Sequence, residues 1–309
     1  MTLKEKTISG VIWNTINNIS STGIELIIGI ILARLLTPEE FGLIGTITIV
    51  IVLSEVFVNS GFNQALIRKQ NCTQKDYSTA FFFNFFVAVF LFFVLLLTAQ
   101  PISSFFNNSE LKPLIQVLGL GLIISSFTLV QQATLTKRID FKLQTKVRLS
   151  ASILSGIVGI AMALTGFGVW SLVARNLSNR GLQSLFLWVW NKWKPEFIFS
   201  KESFKELFGF GSKLLLSGLI GTLLNNINYL IIAKYSSAQD LGYFTRAEMF
   251  KKLPSENVSS IITTVAYPVL ASVQDDRVKL KNYFRKIFVN TFFIIVVLMV
   301  GLAAVSETL

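Results

Sequence analysis

The sequence predicts an all-α polytopic membrane protein of two lobes related by a parallel repeat, and three observations predict it. Mean hydropathy is +0.61 with 15% charged residues over 309 residues, far too apolar for a soluble domain. Apolar stretches near the roughly 20 residues needed to cross a bilayer recur along the chain. A ten-residue segment returns at an offset of 200 residues.

Nine candidate spans follow, at about 8–33, 41–62, 78–100, 112–134, 148–165, 167–190, 207–233, 241–271 and 284–305. The first is hydrocarbon over Ile24 to Ala33 except for Glu25, yet Asn17, Ser21 and Glu25 recur every four residues and share one helix face. At membrane depth such a face meets a water-filled cavity or other helices. The second span carries Glu55, and the third a phenylalanine-rich run from Phe81 to Phe93. Gly119 and Gly121 on the fourth and Gly156 and Gly159 on the fifth permit close helix approach. The sixth holds Arg175 and Arg180, five residues apart and so about 140° apart around a helix. Ser171, Arg175 and Asn179 make one polar face there, and Asn176, Arg180 and Gln183 another. The seventh carries Lys213, Ser217, Gly221, Asn225 and Asn228 at helical spacing. The eighth, with Arg246, Glu248, Lys251, Lys252 and Glu256, is the least apolar and is included on the strength of the repeat.

The loops alternate in charge. Nineteen basic residues, among them Lys69, Lys137, Arg138, Lys142, Lys146, Arg148, Lys201 and Lys205, fall on one side, against Arg34, Lys112 and Lys234 on the other. The positive-inside rule makes the first side, and the N-terminus, cytoplasmic. Loop placement also accounts for most of the net charge of +11, so no nucleic-acid partner is expected. Trp188, Trp190 and Trp193 anchor the cytoplasmic end of the sixth span and Trp170 its outer end. The first span has no small-residue cleavage site and is expected to be a retained helix.

The repeat matches residues 33–42, Ala-Arg-Leu-Leu-Thr-Pro-Glu-Glu-Phe-Gly, with 233–242, Ala-Lys-Tyr-Ser-Ser-Ala-Gln-Asp-Leu-Gly. Carried back, it pairs Asn17, Ser21 and Glu25 with Ser217, Gly221 and Asn225. The copies lie six spans apart, and an even shift preserves orientation, so the repeat axis runs along the membrane normal. Gly42 and Gly242 follow acidic helix-start residues and read as N-terminal turns on the outer surface. This gives a six-helix lobe over 1–200 and a partial, three-helix lobe over 201–309. A second lobe like the first would need three more spans. The expectation is a C-terminally truncated chain that does not transport alone, with completion by oligomerising as the alternative.

The chain resembles the polysaccharide transporter family of bacterial flippases, the Wzx-like and colanic- or teichuronic-acid exporters of the MATE-like (MOP) superfamily. The resemblance rests on residues 32–42, on Gly61 to Lys69, on Lys137 to Lys142, on Gly166 to Val173, and on Arg246-Ala247, Leu253-Pro254 and Tyr267 to Leu270 in that order. It implies a MATE-like fold with lobes that rock about a central cavity. It further implies flipping of an undecaprenyl-diphosphate-linked glycan across the bacterial cytoplasmic membrane, with membrane lipid and polysaccharide polymerase machinery as partners.

Such a cargo asks for cations at the diphosphate and for hydroxyl and amide partners at the sugars. The cavity-lining candidates are Asn17, Ser21, Glu25, Arg175, Arg180, Lys213, Ser217, Asn225, Asn228 and Arg246. Charges at that depth are functional by default, with structural pairing to Glu25 or Glu55 the competing role for either span-six arginine. Lys213 lies close enough to a basic loop to be a snorkelling lysine. Glu25 and Glu55 are the ion-coupling candidates, with a salt bridge or packing hydrogen bond as their alternative role. On the eighth span Glu248 with Lys252 and Lys252 with Glu256 are spaced to neutralise one another.

Enzyme classes are disfavoured. There is no histidine, one cysteine (Cys72), and no glycine-rich nucleotide motif, so no metal, cofactor or ATP-driven step is expected. A small-molecule or drug antiporter of the same architecture is the alternative, and would need a drier cavity with a dominant acid. A membrane-embedded glycosyltransferase would need a large outer loop with paired acids, and the outer loops are short.

Overall fold

The computed structural model describes residues 3–251 and 277–304. Within them the order is α1 (Leu3–Leu35), α2 (Pro38–Asn59), α3 (Phe62–Arg68), α4 (Gln74–Phe105), α5 (Leu111–Lys137), α6 (Phe141–Leu164), α7 (Val169–Trp190), α8 (Lys201–Tyr235), α9 (238–251) and α10 (Arg277–Ala304). The protein is all-α, as the sequence predicts. It divides into two compact units, Met1–Tyr243 and Phe244–Leu309.

Seven of the described helices are long and apolar enough to cross a membrane: Ile16–Leu35, Pro38–Arg68, Gln74–Phe105, Leu111–Lys137, Phe141–Leu164, Lys201–Tyr235 and Val278–Gly301. α7 is not among them, because its two arginines and two asparagines depress its hydropathy; it is nonetheless a 22-residue helix bundled against α5 and α6. Most of the eighth predicted span, with Lys252, Glu256, Leu253-Pro254 and Tyr267 to Leu270, lies outside the described residues.

Helix starts are built by short polar side chains. Glu40 Oε2 accepts from the Thr37 amide at 2.7 Å, with Pro38 opening α2. Asp76 Oδ2 accepts from the Thr73 amide at 2.8 Å at the start of α4. Asp140 takes the Leu143 amide at 3.1 Å to start α6, and Ser200 takes Ser203 at 3.2 Å to start α8. Within the first unit neighbours in sequence are neighbours in space: α4 lies against α5 and α6 against α7, while α1 packs on α6 and α8 on α2, α3 and α4. One core gathers Leu43, Ile47, Ile51, Ile115, Leu122 and Val173. A second is aromatic, with Phe62 stacked on Phe83 at 4.8 Å and Phe81 edge-on to Trp188 and Trp193 at 6.0 Å each.

Two expectations on element boundaries change. The second span is not one helix: Ser60 (φ 49°) and Gly61 (φ 70°) turn left-handed and interrupt it between α2 and α3. Lys142, Lys146 and Arg148, placed in a loop by the sequence, belong to the first turns of α6, and Lys201 and Lys205 to those of α8. Long charged side chains let a helix outlast the hydrocarbon. Lys142 sits over the Trp13 ring at 5.6 Å and Lys146 over Trp190 at 4.1 Å.

The 200-residue repeat takes physical form in the first unit. A Cβ on Gly42 would overlap the Ala238 carbonyl oxygen and lie 2.6 Å from its carbon; a Cβ on Gly242 would overlap the Pro38 carbonyl oxygen at the same 2.6 Å from its carbon. Pro38 and Ala238, like Gly42 and Gly242, are repeat equivalents, so the two helix starts cross with two-fold reciprocity. Local geometry repeats too: the Leu36 amide bonds Leu32 O and the Ser236 amide bonds Ile232 O, both at 2.9 Å. Asp240 caps Ser237 as Glu40 caps Thr37, and the Ser237 hydrogen bonds hold the Asp240 carboxyl below its ordinary range. The glycines are therefore buried contact points, a role beyond that of turns on a surface.

A buried polar knot ties α7 to α5 where the tryptophans gather. Asn191 Nδ2 donates to Gln131 Oε1 at 2.5 Å and to Thr134 Oγ1 at 2.8 Å, and Gln131 Nε2 donates to the Trp193 carbonyl at 3.0 Å. Gln131 is fully buried. Asn191→Ala strands the Gln131 and Thr134 oxygens and is expected to cost about 1–3 kcal/mol, read as a lower midpoint in denaturant titration of the detergent-solubilised protein; Asn191→Asp, which loses the donor, should be no better.

Candidate functional site

The candidate residues sort onto α1, α2, α7, α8 and α9. On α7 the arginines are held by different neighbours. Arg180 Nη1 pairs with Glu55 of α2 and donates to Ser125 Oγ of α5 at 2.8 Å, while its Nε donates to Asn176 Oδ1 at 2.8 Å. Its stem crosses α5 at Gly121, where a Cβ would meet Arg180 Cδ at 3.1 Å. The sequence predicts a packing glycine at this position, and what it admits is an arginine. The pair stays about a quarter exposed, 22% for Arg180 and 31% for Glu55, so the guanidinium keeps an open side.

Arg175 leans on α6, with its Cβ 2.9 Å from where a Cβ on Gly159 would stand. Of the two acids proposed for ion coupling, Glu55 has an α7 arginine as its partner. Asn179 Nδ2 donates to Ser155 Oγ at 3.1 Å, and Gln183 Nε2 to Asn179 Oδ1 at 2.5 Å, which links the two α7 faces that sequence spacing keeps apart.

The polar stripe on α1 divides. Asn17 and Ser21 are buried, with Ser21 Oγ donating to Asn17 Oδ1 at 3.4 Å, whereas Glu25 is exposed. On α8, Lys213, Ser217, Asn225 and Asn228 are all exposed, while Leu207, Gly211 and Tyr229 turn inward. Gly211 presses on the α2–α3 break: a Cβ there would lie 2.6 Å from Ser60 O, and one on Gly61 2.8 Å from Gly211 Cα. Arg246, in the second unit, directs Nη1 to Met249 Sδ at 3.5 Å. Glu248 pairs with Lys251 at 2.7 Å, a partner that the i,i+4 spacing does not select.

Where the basic loops gather, a second charged group forms that no sequence motif marks. Lys69 Nζ contacts Glu206 Oε2 at 2.7 Å and Asp76 Oδ1 at 3.0 Å. The Glu206 hydrogen bond, helped by Asp76 and opposed by desolvation, raises the Lys69 ammonium above its ordinary range. Arg68 stacks over Phe210 at 4.3 Å. These contacts fasten the start of α8 to the α3–α4 connection. At the other end of the bundle Lys234 donates to the Phe105 carbonyl at 2.6 Å and covers the Phe105 ring at 4.0 Å. Among the described residues no group of three metal-ligating side chains is found.

This is the chemistry of a membrane bundle with cations and amides at membrane depth, and comparison with known proteins agrees. Residues 31–309 match the family described as polysaccharide biosynthesis protein. The chain is 27% identical over 307 residues to teichuronic acid biosynthesis protein TuaB of Bacillus subtilis, covering 99% of this chain and 64% of that protein. It is 25% identical over 313 residues to lipopolysaccharide biosynthesis protein WzxC of Escherichia coli, covering 99% and 63%. The succinoglycan biosynthesis transport protein ExoT of Rhizobium meliloti is 23% identical, covering 99% and 62%. The chain therefore spans a little under two thirds of the length of these relatives. An inward-facing structure of a multidrug resistance MATE family transporter of the MOP superfamily superposes with TM-score 0.66 at 18% identity, over 97% of this chain and 71% of that one, a likeness of fold. The chain is a multi-pass membrane protein, and it belongs to the polysaccharide biosynthesis protein family.

Proposed function

We propose that the protein of which this chain is at least a part moves a lipid-linked oligosaccharide, carried on a polyprenyl diphosphate such as undecaprenyl diphosphate, from the inner to the outer leaflet of the bacterial cytoplasmic membrane. In this reading the N-terminus is cytoplasmic, residues 1–200 are one six-helix lobe, and the second lobe begins at 201. Transport proceeds by alternating access, and polysaccharide polymerase machinery receives the cargo. The carrying observation is α7: a helix of membrane length packed against α5 and α6 that retains two arginines, Arg175 with its stem on α6 and Arg180 paired with Glu55. A diphosphate is the ligand that such a pair suits, because guanidinium binds phosphate oxygens in bidentate fashion. The exposed amides Asn225 and Asn228 and the hydroxyl of Ser217 supply partners for sugar hydroxyls. Glu55 competes with the cargo for Arg180, and its release on cargo binding would make it, like the exposed Glu25, available to a coupling proton or cation.

The test is complementation. A strain lacking the gene should accumulate lipid-linked glycan on the cytoplasmic leaflet, and the wild-type gene should clear it. Arg175→Ala should cut export by about tenfold or more, with Arg175→Lys partly active. Export at the wild-type level from Arg175→Ala and Arg180→Lys together would refute the assignment.

A further inference from the structure

Residues 191–200, which connect α7 to α8, form no helix, yet they are fastened in order along the first turns of α4. The Lys194 carbonyl accepts from Gln74 Nε2 at 2.7 Å, the Glu196 amide donates to Ser78 Oγ at 2.9 Å, and the Phe197 ring lies 5.6 Å from that of Phe82. The chain then turns back, and the Ser200 amide donates to Thr79 Oγ1 at 3.0 Å. Gln74, Ser78 and Phe82 follow one another on a single α4 face. The connection therefore runs about 12 Å along that helix before it returns. Ser78 and Thr79 are fully buried.

The composition of α4 marks where the bilayer begins beside this strap. Gln74 to Thr79 is polar or charged apart from Tyr77, whereas Ala80 to Leu97 is apolar except for Asn84. The apolar run covers about 27 Å, close to the roughly 30 Å of a hydrocarbon core. The polar anchors Gln74, Ser78 and Thr79 fall before the run, and Phe82 falls inside it. Phe82 heads a row with Phe86 and Phe90, which are 63% and 66% exposed, so this row faces away from the bundle and toward lipid. Phe197 extends the row from outside and is 98% exposed. Ile198 and Phe199 beside it are exposed as well.

The charged residues of the strap stand at its other level. Lys192 and Lys194 are exposed and flank buried Trp193, whose Nε1 donates to Gln74 Oε1 at 2.9 Å. Glu196 is the one acid in residues 191–200. An apolar tip with ammonium groups set back from it matches the cross-section of a leaflet: rings at the boundary of acyl chains and headgroups, cations at the phosphates. Irregular backbone is tolerated at that depth only where protein meets its polar groups, and the α4 side chains do so at Lys194, Glu196 and Ser200.

We propose that residues 192–199 are a strap that dips into one leaflet and binds anionic phospholipid, with Phe197 at the hydrocarbon edge beside Phe82 and Lys192 and Lys194 at the headgroups. The excess of lysine over acid selects an anionic headgroup. The proposal requires only that the bundle span a bilayer, and it stands or falls independently of the cargo.

Two measurements test it. The first uses the purified chain reconstituted in vesicles of phosphatidylcholine and phosphatidylglycerol. A nitroxide on Phe197→Cys, in a Cys72→Ala background, should show several-fold higher accessibility to oxygen relative to a nickel chelate than the same label on Lys194→Cys. Should Cys72→Ala not fold, Phe197→Trp decides the matter, because chain-brominated lipid should quench it beyond the quenching of the wild-type tryptophans. The second is thermal unfolding in detergent. Tm should rise saturably with added phosphatidylglycerol and less with phosphatidylcholine. Lys192→Gln/Lys194→Gln should raise the half-saturating phosphatidylglycerol concentration by about tenfold. A label at 197 as open to the nickel chelate as one at 194, or no added quenching of Phe197→Trp, overturns the proposal. So does a phosphatidylglycerol response that the lysine double variant leaves unchanged.

Discussion

Gly42→Ala is expected to destabilise the first unit strongly. The new Cβ would overlap the Ala238 carbonyl oxygen, which belongs to a helix start and cannot swing aside as a side-chain tip does. Overpacking of this kind costs about 1–3 kcal/mol and occasionally more, and a backbone obstacle places it at the upper end. Gly242→Ala should cost a similar amount, since its obstacle is the equivalent carbonyl of Pro38 at equivalent distances. The informative result is the double variant. Both methyls part the same crossing, so Gly42→Ala/Gly242→Ala should fall well short of the sum of the singles. Urea titration of the solubilised protein reads all three, and additive losses would mean that the two contacts are independent and the reciprocity incidental. Gly23, beside which a Cβ meets nothing within 4 Å, is the control.

Breaking the Glu55–Arg180 pair has the second largest expected effect. Removing one member of a fully buried pair costs about 3–5 kcal/mol; here both side chains keep some exposure, 31% and 22%, and screening reduces the expectation to about 2–3 kcal/mol. Glu55→Ala should be the worse single change, because it leaves the guanidinium with only neutral partners, Ser125 and Asn176. A Glu55→Gln/Arg180→Met double variant should recover most of the loss, since the charge needing compensation is gone. If the double is as unstable as Glu55→Ala, the arginine stem stabilises the bundle mainly by packing on Gly121 and the ion pair matters little. Paired with the export assay, the same variants separate a structural arginine from a cargo-binding one: a folded, exporting double would confine Arg180 to scaffolding.

The fold is largely legible in the sequence because membrane burial writes itself into composition. Runs such as Ile24 to Ala33 have no other stable destination, and the match through Thr37-Pro38-Glu39-Glu40 and Ser237-Ala238-Gln239-Asp240 repeats capping chemistry as well as hydropathy. What the match cannot convey is that Gly42 and Gly242 touch each other's repeat partners, since a small residue permits approach without naming what approaches. The pairing of Arg180 with Glu55 is one of two alternatives that the residues allow; spacing alone fixes angle on a helix, not which neighbour fills it. The break at Ser60–Gly61 is visible as a Ser-Gly step, but the apolar run around it outweighs that signal. Lys69 and Glu206 lie far apart in sequence, and only the packing of α8 on α3 and α4 brings them into contact.

The crossing at Gly42 and Gly242 also orders the making of the molecule. Its contacts join residues about 200 positions apart, whereas α4 with α5 and α6 with α7 are neighbours in the chain. Closing so long a loop carries the largest entropy cost of any contact in the unit and is repaid only when both helix starts exist. During synthesis the adjacent hairpins therefore settle first, and α2 waits with a bare carbonyl-lined notch until α8 and the start of α9 leave the ribosome. The seam between them is the last joint to form, and a chain arrested before residue 238 is a set of assembled hairpins with one edge open to lipid.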